Sequence, residues 1–156
     1  MTKKIALLLA FVLAFSSTNM IYANENLRII DITPPVITDI VLDKTVVEVG
    51  TTSGSSIQVS VMASDDISGI DFMFVQFYNA DYDKTITTYL DYDENTDLYI
   101  GHIDINGYAL PGTYYINYAY ARDYAGNEII YSESYDNLNF MTNFVVINDV
   151  TDNVQP

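Results

Sequence analysis

Between Ser56 and Ser64 apolar and polar residues alternate strictly, with Ile57, Val59, Val61 and Ala63 on one side and Gln58, Ser60, Met62 and Ser64 on the other. A period of two is that of a half-buried strand. The pattern returns over Ile70–Tyr78 in aromatic form. Pointing Met73, Val75 and Phe77 inward leaves Phe72 and Phe74 on a face expected to meet water. Further strands are predicted at Val36–Leu42, with Thr45–Val49 as its continuation, and at Thr85–Leu90, Leu98–Ile105, Thr113–Ala121, Glu128–Ser132 and Asn143–Asn148. Runs rich in Gly, Asp, Asn and Ser separate them, at Gly50–Gly54, Asp65–Gly69, Asp91–Asp97, Asn106–Gly112 and Asp123–Asn127, and read as turns. About seven short strands, with no stretch of helical period, predict an all-β antiparallel sandwich.

The first residues follow a different pattern. Lys3 and Lys4 precede an unbroken apolar run from Ile5 to Phe15, and a polar stretch then closes on Ile21-Tyr22-Ala23. This is the plan of a secretory signal peptide, and the run is too short for the roughly 20 apolar residues that a membrane span requires. The expected organisation is a signal peptide at 1–23, an N-terminal extension at 24–33, one sandwich domain at 34–148 and a loose tail at 149–156. Pro34-Pro35 bars helix, so the chain should enter the domain extended. No Cys follows the apolar run to carry a lipid anchor, so the mature protein is expected to be secreted or periplasmic with no membrane anchor.

Composition narrows the partners. The 21 acidic residues all lie beyond the leader while Lys3 and Lys4 lie within it, so the mature chain carries a formal charge of −17. Such a surface disfavours nucleic acid and favours cationic partners or divalent ions. The absence of Cys leaves stability to apolar burial alone, at about 1.5–3 kcal/mol for each fully buried Val, Leu, Ile or Phe.

Three groups of residues, in this order and spacing, resemble the bacterial immunoglobulin-like domains of secreted and cell-surface proteins. They are Thr33-Pro34-Pro35-Val36-Ile37, Ser64-Asp65-Asp66-Ile67-Ser68-Gly69-Ile70, and Pro111-Gly112-Thr113-Tyr114 with Ala121-Arg122-Asp123-Tyr124-Ala125-Gly126-Asn127. The resemblance implies an immunoglobulin-like sandwich and a role in binding or adhesion. Gly112 and Gly126 suit turn conformations, and either Tyr114 or Tyr115 could tie the start of its strand to the preceding backbone through its hydroxyl.

Catalytic chemistry finds little support. His102, the single histidine, sits within a predicted strand, and without Cys there is neither a thiol nucleophile nor a soft-metal ligand set. A non-enzyme without a certain cofactor is expected. The alternatives are a structural spacer or self-assembling homo-oligomeric subunit that pairs through an edge strand, and a hydrolase working with carboxylates alone. A sandwich should gather the chain entry and the loops after two of its strands at one end, bringing together Asp31, Asp65, Asp66, Asp123 and Asn127. Those oxygen donors would suit calcium, although the same residue types are ordinary turn formers. Phe72 and Phe74 beside Tyr89 form a second candidate, an aromatic binding surface for an extracellular protein or carbohydrate ligand.

Overall fold

A computed structural model describes residues 30–50, 53–132, 140 and 142–148. The predicted signal peptide, most of the extension and the predicted tail lie outside the described residues. From Asp31 onward the chain is all-β, in two sheets with no helix among the described residues.

Among the described residues ten strands form where about seven were expected. In chain order they are β1 (Val36–Leu42), β2 (Val46–Val49), β3 (Ser55–Ser64), β4 (Ile70–Asn79), β5 (Lys84–Tyr89), β6 (Asp91–Asp93), β7 (Leu98–Ile105), β8 (Gly112–Asp123), β9 (Glu128–Ser132) and β10 (Asn143–Asn148). One sheet runs β1-β3-β7-β6, and the other runs β2-β10-β8-β4-β5, with β9 beside β8. The extra strands follow from how the segments pair. Residues 36–49 do not make one continued strand: the first part pairs with β3 while β2 crosses to the other sheet and pairs parallel with β10. That parallel pair departs from the purely antiparallel expectation. The run from Asp91 to Asp97 begins with a short strand against β7 and turns only at its end.

Both sheets turn apolar faces inward. β3 contributes Ile57, Val59 and Val61, and β4 contributes Met73, Val75 and Phe77, all buried as their alternation predicts. Phe144 of β10 stacks parallel on Tyr114 of β8 at 5.0 Å and meets Phe77 edge-on at 5.2 Å. These aromatic pairs add about 0.5–1.5 kcal/mol each beyond area burial. Gly101 marks the tightest approach. A Cβ there would stand 2.4 Å from the Tyr89 carbonyl oxygen and 2.6 Å from Thr88 Oγ1, so the strand exit at Thr88–Leu90 can cross β7 only over a glycine.

Two hairpins use one device. Asp83 and Asp97 adopt left-handed backbone (φ 51° and 59°), a conformation that Asp tolerates better than most residues. Each accepts a hydrogen bond from the tyrosine five residues earlier, Tyr78 at 3.3 Å and Tyr92 at 2.6 Å.

Candidate functional site

Register and a bulge assemble the site on the outer face of the six-stranded sheet. β4 pairs with β5 so that Phe74 faces Tyr89, and with β8 so that Phe74 faces Tyr120 and Phe72 faces Arg122. On β8 the side facing the core changes part-way along. Tyr114 and Ile116 are buried, then Ala119 and Ala121. The register shift opposite Gln76 and Phe77 leaves Asn117 as the extra residue, the signature of a β-bulge. Without it, strict alternation from Tyr114 would drive Tyr118 and Tyr120 into the core. With it, both tyrosines join the phenylalanines outside.

The result is a continuous aromatic surface across three neighbouring strands. Phe74 lies at its centre, stacked on Tyr120 at 5.2 Å and on Tyr118 at 5.6 Å, and meets Tyr89 at 6.1 Å. Phe72 completes it, with ring centroids 6.0 Å from Phe74, 5.8 Å from Tyr89 and 6.0 Å from Tyr120. Phe72 is 37% exposed and Tyr89 66%. The Arg122 guanidinium lies 5.7 Å from the centre of the Phe72 ring, and its Nη2 donates to Asp71 Oδ2 at 2.6 Å. That hydrogen bond from Arg122 holds its charge more firmly, raising its pKa above the ordinary value. Burial raises the Tyr120 phenol, and a hydrogen bond to Glu128 adds to the shift. Tyr120 is therefore neutral across the physiological range. Phe72, Phe74 and Tyr89 are thus in contact as the sequence suggested. Tyr118, Tyr120 and Arg122 were missed, because a bulge leaves no mark in the apolar pattern.

The acidic residues divide into two groups. Asp31, Asp65 and Asp66 come together, with carboxylate oxygens within 4.8 Å of one another. Asp31 accepts from the Thr33 amide at 3.1 Å and from the Ser68 amide at 3.0 Å, while the Thr33 hydroxyl bonds both Asp31 and Asp66. The Ser68 side chain, chiefly, and the Thr33 and Ser68 amides hold the Asp31 carboxyl below the ordinary carboxylate pKa. Asp65 Oδ1 accepts from the Gly69 amide at 2.7 Å and the Ile67 amide at 3.3 Å. Its Oδ2 is buried and has no hydrogen-bond partner among the described residues.

Asp123 and Asn127 form the second group. Asp123 is buried, and its two oxygens accept from the amide and the side-chain nitrogen of Asn127 at 2.8 and 2.7 Å. They close their own turn around Gly126 (φ 94°). The loop still adjoins the first group, since the Tyr124 amide donates to the Gly69 carbonyl at 3.1 Å. His102 is exposed on β7, opposite Gln58.

No protein-family model matches the chain, and no curated protein is detectably similar to it.

Proposed function

We propose that this is an exported, non-catalytic binding module of immunoglobulin-like architecture, which presents the aromatic face of its six-stranded sheet to an extracellular partner. The observation that carries the reading is the aromatic surface itself. Five rings adjoin one another at outward positions, some stacked and some edge-on, where each exposed apolar ring leaves its contact area unused. Cross-strand pairing accounts for part of the cluster, at roughly 0.2–1 kcal/mol per pair. It leaves most of Tyr89 unused, since that residue pairs with Phe74 from an edge strand yet is 66% exposed. Rigid, flat tyrosine and phenylalanine faces give a recognition surface contact area at low entropic cost.

The architecture is supported by strand order and by one hydrogen bond. The orders β1-β3-β7-β6 and β10-β8-β4 correspond to the A-B-E-D and G-F-C sheets of an immunoglobulin domain, with β2 as a switched first strand. Tyr114, 2% exposed, donates from its hydroxyl to the Leu110 carbonyl at 3.0 Å, as a tyrosine corner does. Export is supported by Lys3, Lys4 and the apolar run to Phe15.

The test is binding of the purified mature protein to arrays of immobilised polysaccharides and peptides, beside Tyr89→Ala and Phe72→Ala. Both variants should melt close to the wild type yet lose the binding, while Gln58→Ala on the other sheet keeps it. Undiminished binding by the ring variants would remove the aromatic face from the function.

A second reading is favoured by Asp65 Oδ2, buried without a partner beside two further carboxylates. Calcium held by Asp31, Asp65 and Asp66 would satisfy that oxygen, relieve the repulsion and stabilise the fold by RT ln(1 + [Ca]/Kd). The melting temperature should then rise with millimolar calcium more than with sodium at equal ionic strength, and Asp66→Asn should blunt the rise. Equal responses to the two salts would identify these residues as turn formers.

A further inference from the structure

The aromatic face and the charge of the molecule together specify a partner, and this inference rests on the binding role proposed above. We infer that the face takes a cationic polypeptide, whose arginine or lysine side chains lie over the rings of Tyr89, Phe74 and their neighbours.

Charge complementarity carries the argument. The mature chain is at −17, so its long-range field draws in cationic partners and repels nucleic acids, acidic glycans and further copies of itself. At short range, aromatic rings present a negative face that attracts ammonium and guanidinium groups. The protein already shows this contact once, where Arg122 lies over Phe72 and is anchored by Asp71. Its positive charge is compensated there, since Asp71 bonds it and Glu128 is its register partner on β9. Among the described residues no other cation is paired with a ring of this cluster. Tyr89, the most exposed member, therefore offers a ring face of the same kind to an outside cation. Guanidinium fits best, being planar, weakly hydrated and able to stack. A neutral sugar could use the flat rings, but it would draw nothing from the acidic field.

The experiment measures binding of a fluorescent poly-arginine peptide to the full mature protein at physiological salt. Poly-lysine, poly-glutamate and a neutral oligosaccharide are compared with it. The variants are Tyr89→Leu, which keeps an apolar side chain but removes the ring, and Asp104→Asn, which removes one charge from the opposite sheet. Poly-arginine should bind best, poly-lysine next and poly-glutamate not at all. Tyr89→Leu should weaken poly-arginine binding about two- to five-fold, the range of one exposed cation–π contact. Asp104→Asn should change it less, and the effect of Tyr89→Leu should persist when added salt weakens binding overall.

If Asp104→Asn costs as much as Tyr89→Leu, the attraction is diffuse and the inference fails. It also fails if poly-arginine does not bind. In that event, ring-dependent capture of the oligosaccharide would keep the binding face with a different ligand, and its absence on the arrays as well would remove the binding role.

Discussion

The two sheets share one core and differ in what they show to solvent. Outward positions of the four-stranded sheet carry Gln58 opposite His102, Ser56 opposite Asp104 and Ser60 opposite Ile100, with Gln58 donating to Ser60 Oγ at 3.2 Å. At the matching positions of the six-stranded sheet, Phe74 faces Tyr89 on one side and Tyr120 on the other. Both inner faces are mainly apolar, because burial makes the same demand on both, although the buried polar residues Asn79, Thr88, Asp123 and Ser132 all lie on strands of the six-stranded sheet. Outside, folding asks only that a side chain tolerate water, so the difference between the faces is not required by the core. Val41 and Met62 are exposed on the four-stranded sheet as well, but only the six-stranded sheet gathers its outward rings into one cluster, the observation behind the binding role proposed for it.

The apolar inner face of each sheet can be broken first, with the largest effect. Val61→Asp and Val75→Asp should each unfold the domain, since an unpaired buried carboxylate costs several kcal/mol against a total stability of about 5–15. Ser60→Asp should be nearly silent by thermal melting. Similar melting temperatures for Val61→Asp and Ser60→Asp would reverse the register of β3.

A strong effect of a different kind is expected where the chain crosses between the sheets. Gly101→Val has no space for its side chain beside the Tyr89 carbonyl, and overpacking of this kind costs about 1–3 kcal/mol. Chemical denaturation should show the loss, whereas the exposed neighbour His102→Ala should stay within about 0.5 kcal/mol of the wild type.

Adjacent tyrosines give a finer contrast. Tyr114→Phe removes the hydroxyl bonded to the Leu110 carbonyl and should cost about 1 kcal/mol. Tyr115, 53% exposed, should accept Phe with no measurable change. Equal losses would show that the corner bond contributes nothing.

The smallest effect concerns acid. The Thr96 hydroxyl, first, and then Asn95 hold the Asp93 carboxyl below its ordinary value of 3.8. A lowered folded pKa means that this hydrogen bonding stabilises fully above the ordinary value and is lost as pH falls through the folded one. Thr96→Ala should therefore melt slightly below the wild type at neutral pH, and the gap should close as pH falls below about 4. A gap independent of pH would place the effect of Thr96 elsewhere.

Local alternation was enough to settle much of the molecule. Period two over Ser56–Ser64 and Ile70–Tyr78 determined which side of β3 and β4 is buried, and thereby put Phe72 and Phe74 outside. Gly112 and Gly126 both take positive φ, although Gly112 opens β8 and Asp91–Asp93 form a strand where a turn was expected. Of the acidic loop residues, the sequence supplied the identities but not the grouping. Asp31 reaches Ser68 across 37 positions, while Asp123 and Asn127 satisfy each other within one turn. Only the tertiary structure decided that β2 leaves β1 for the other sheet, that Tyr114 and not Tyr115 is tied to Leu110, and that Asn117 bulges so that Tyr118 and Tyr120 join the aromatic face. The physical reason is the range of the forces involved. Burial of one face acts through the nearest residues and writes itself into their spacing. Register, crossing and bulge are set by hydrogen bonds to strands far away in sequence, and the local pattern carries no record of them.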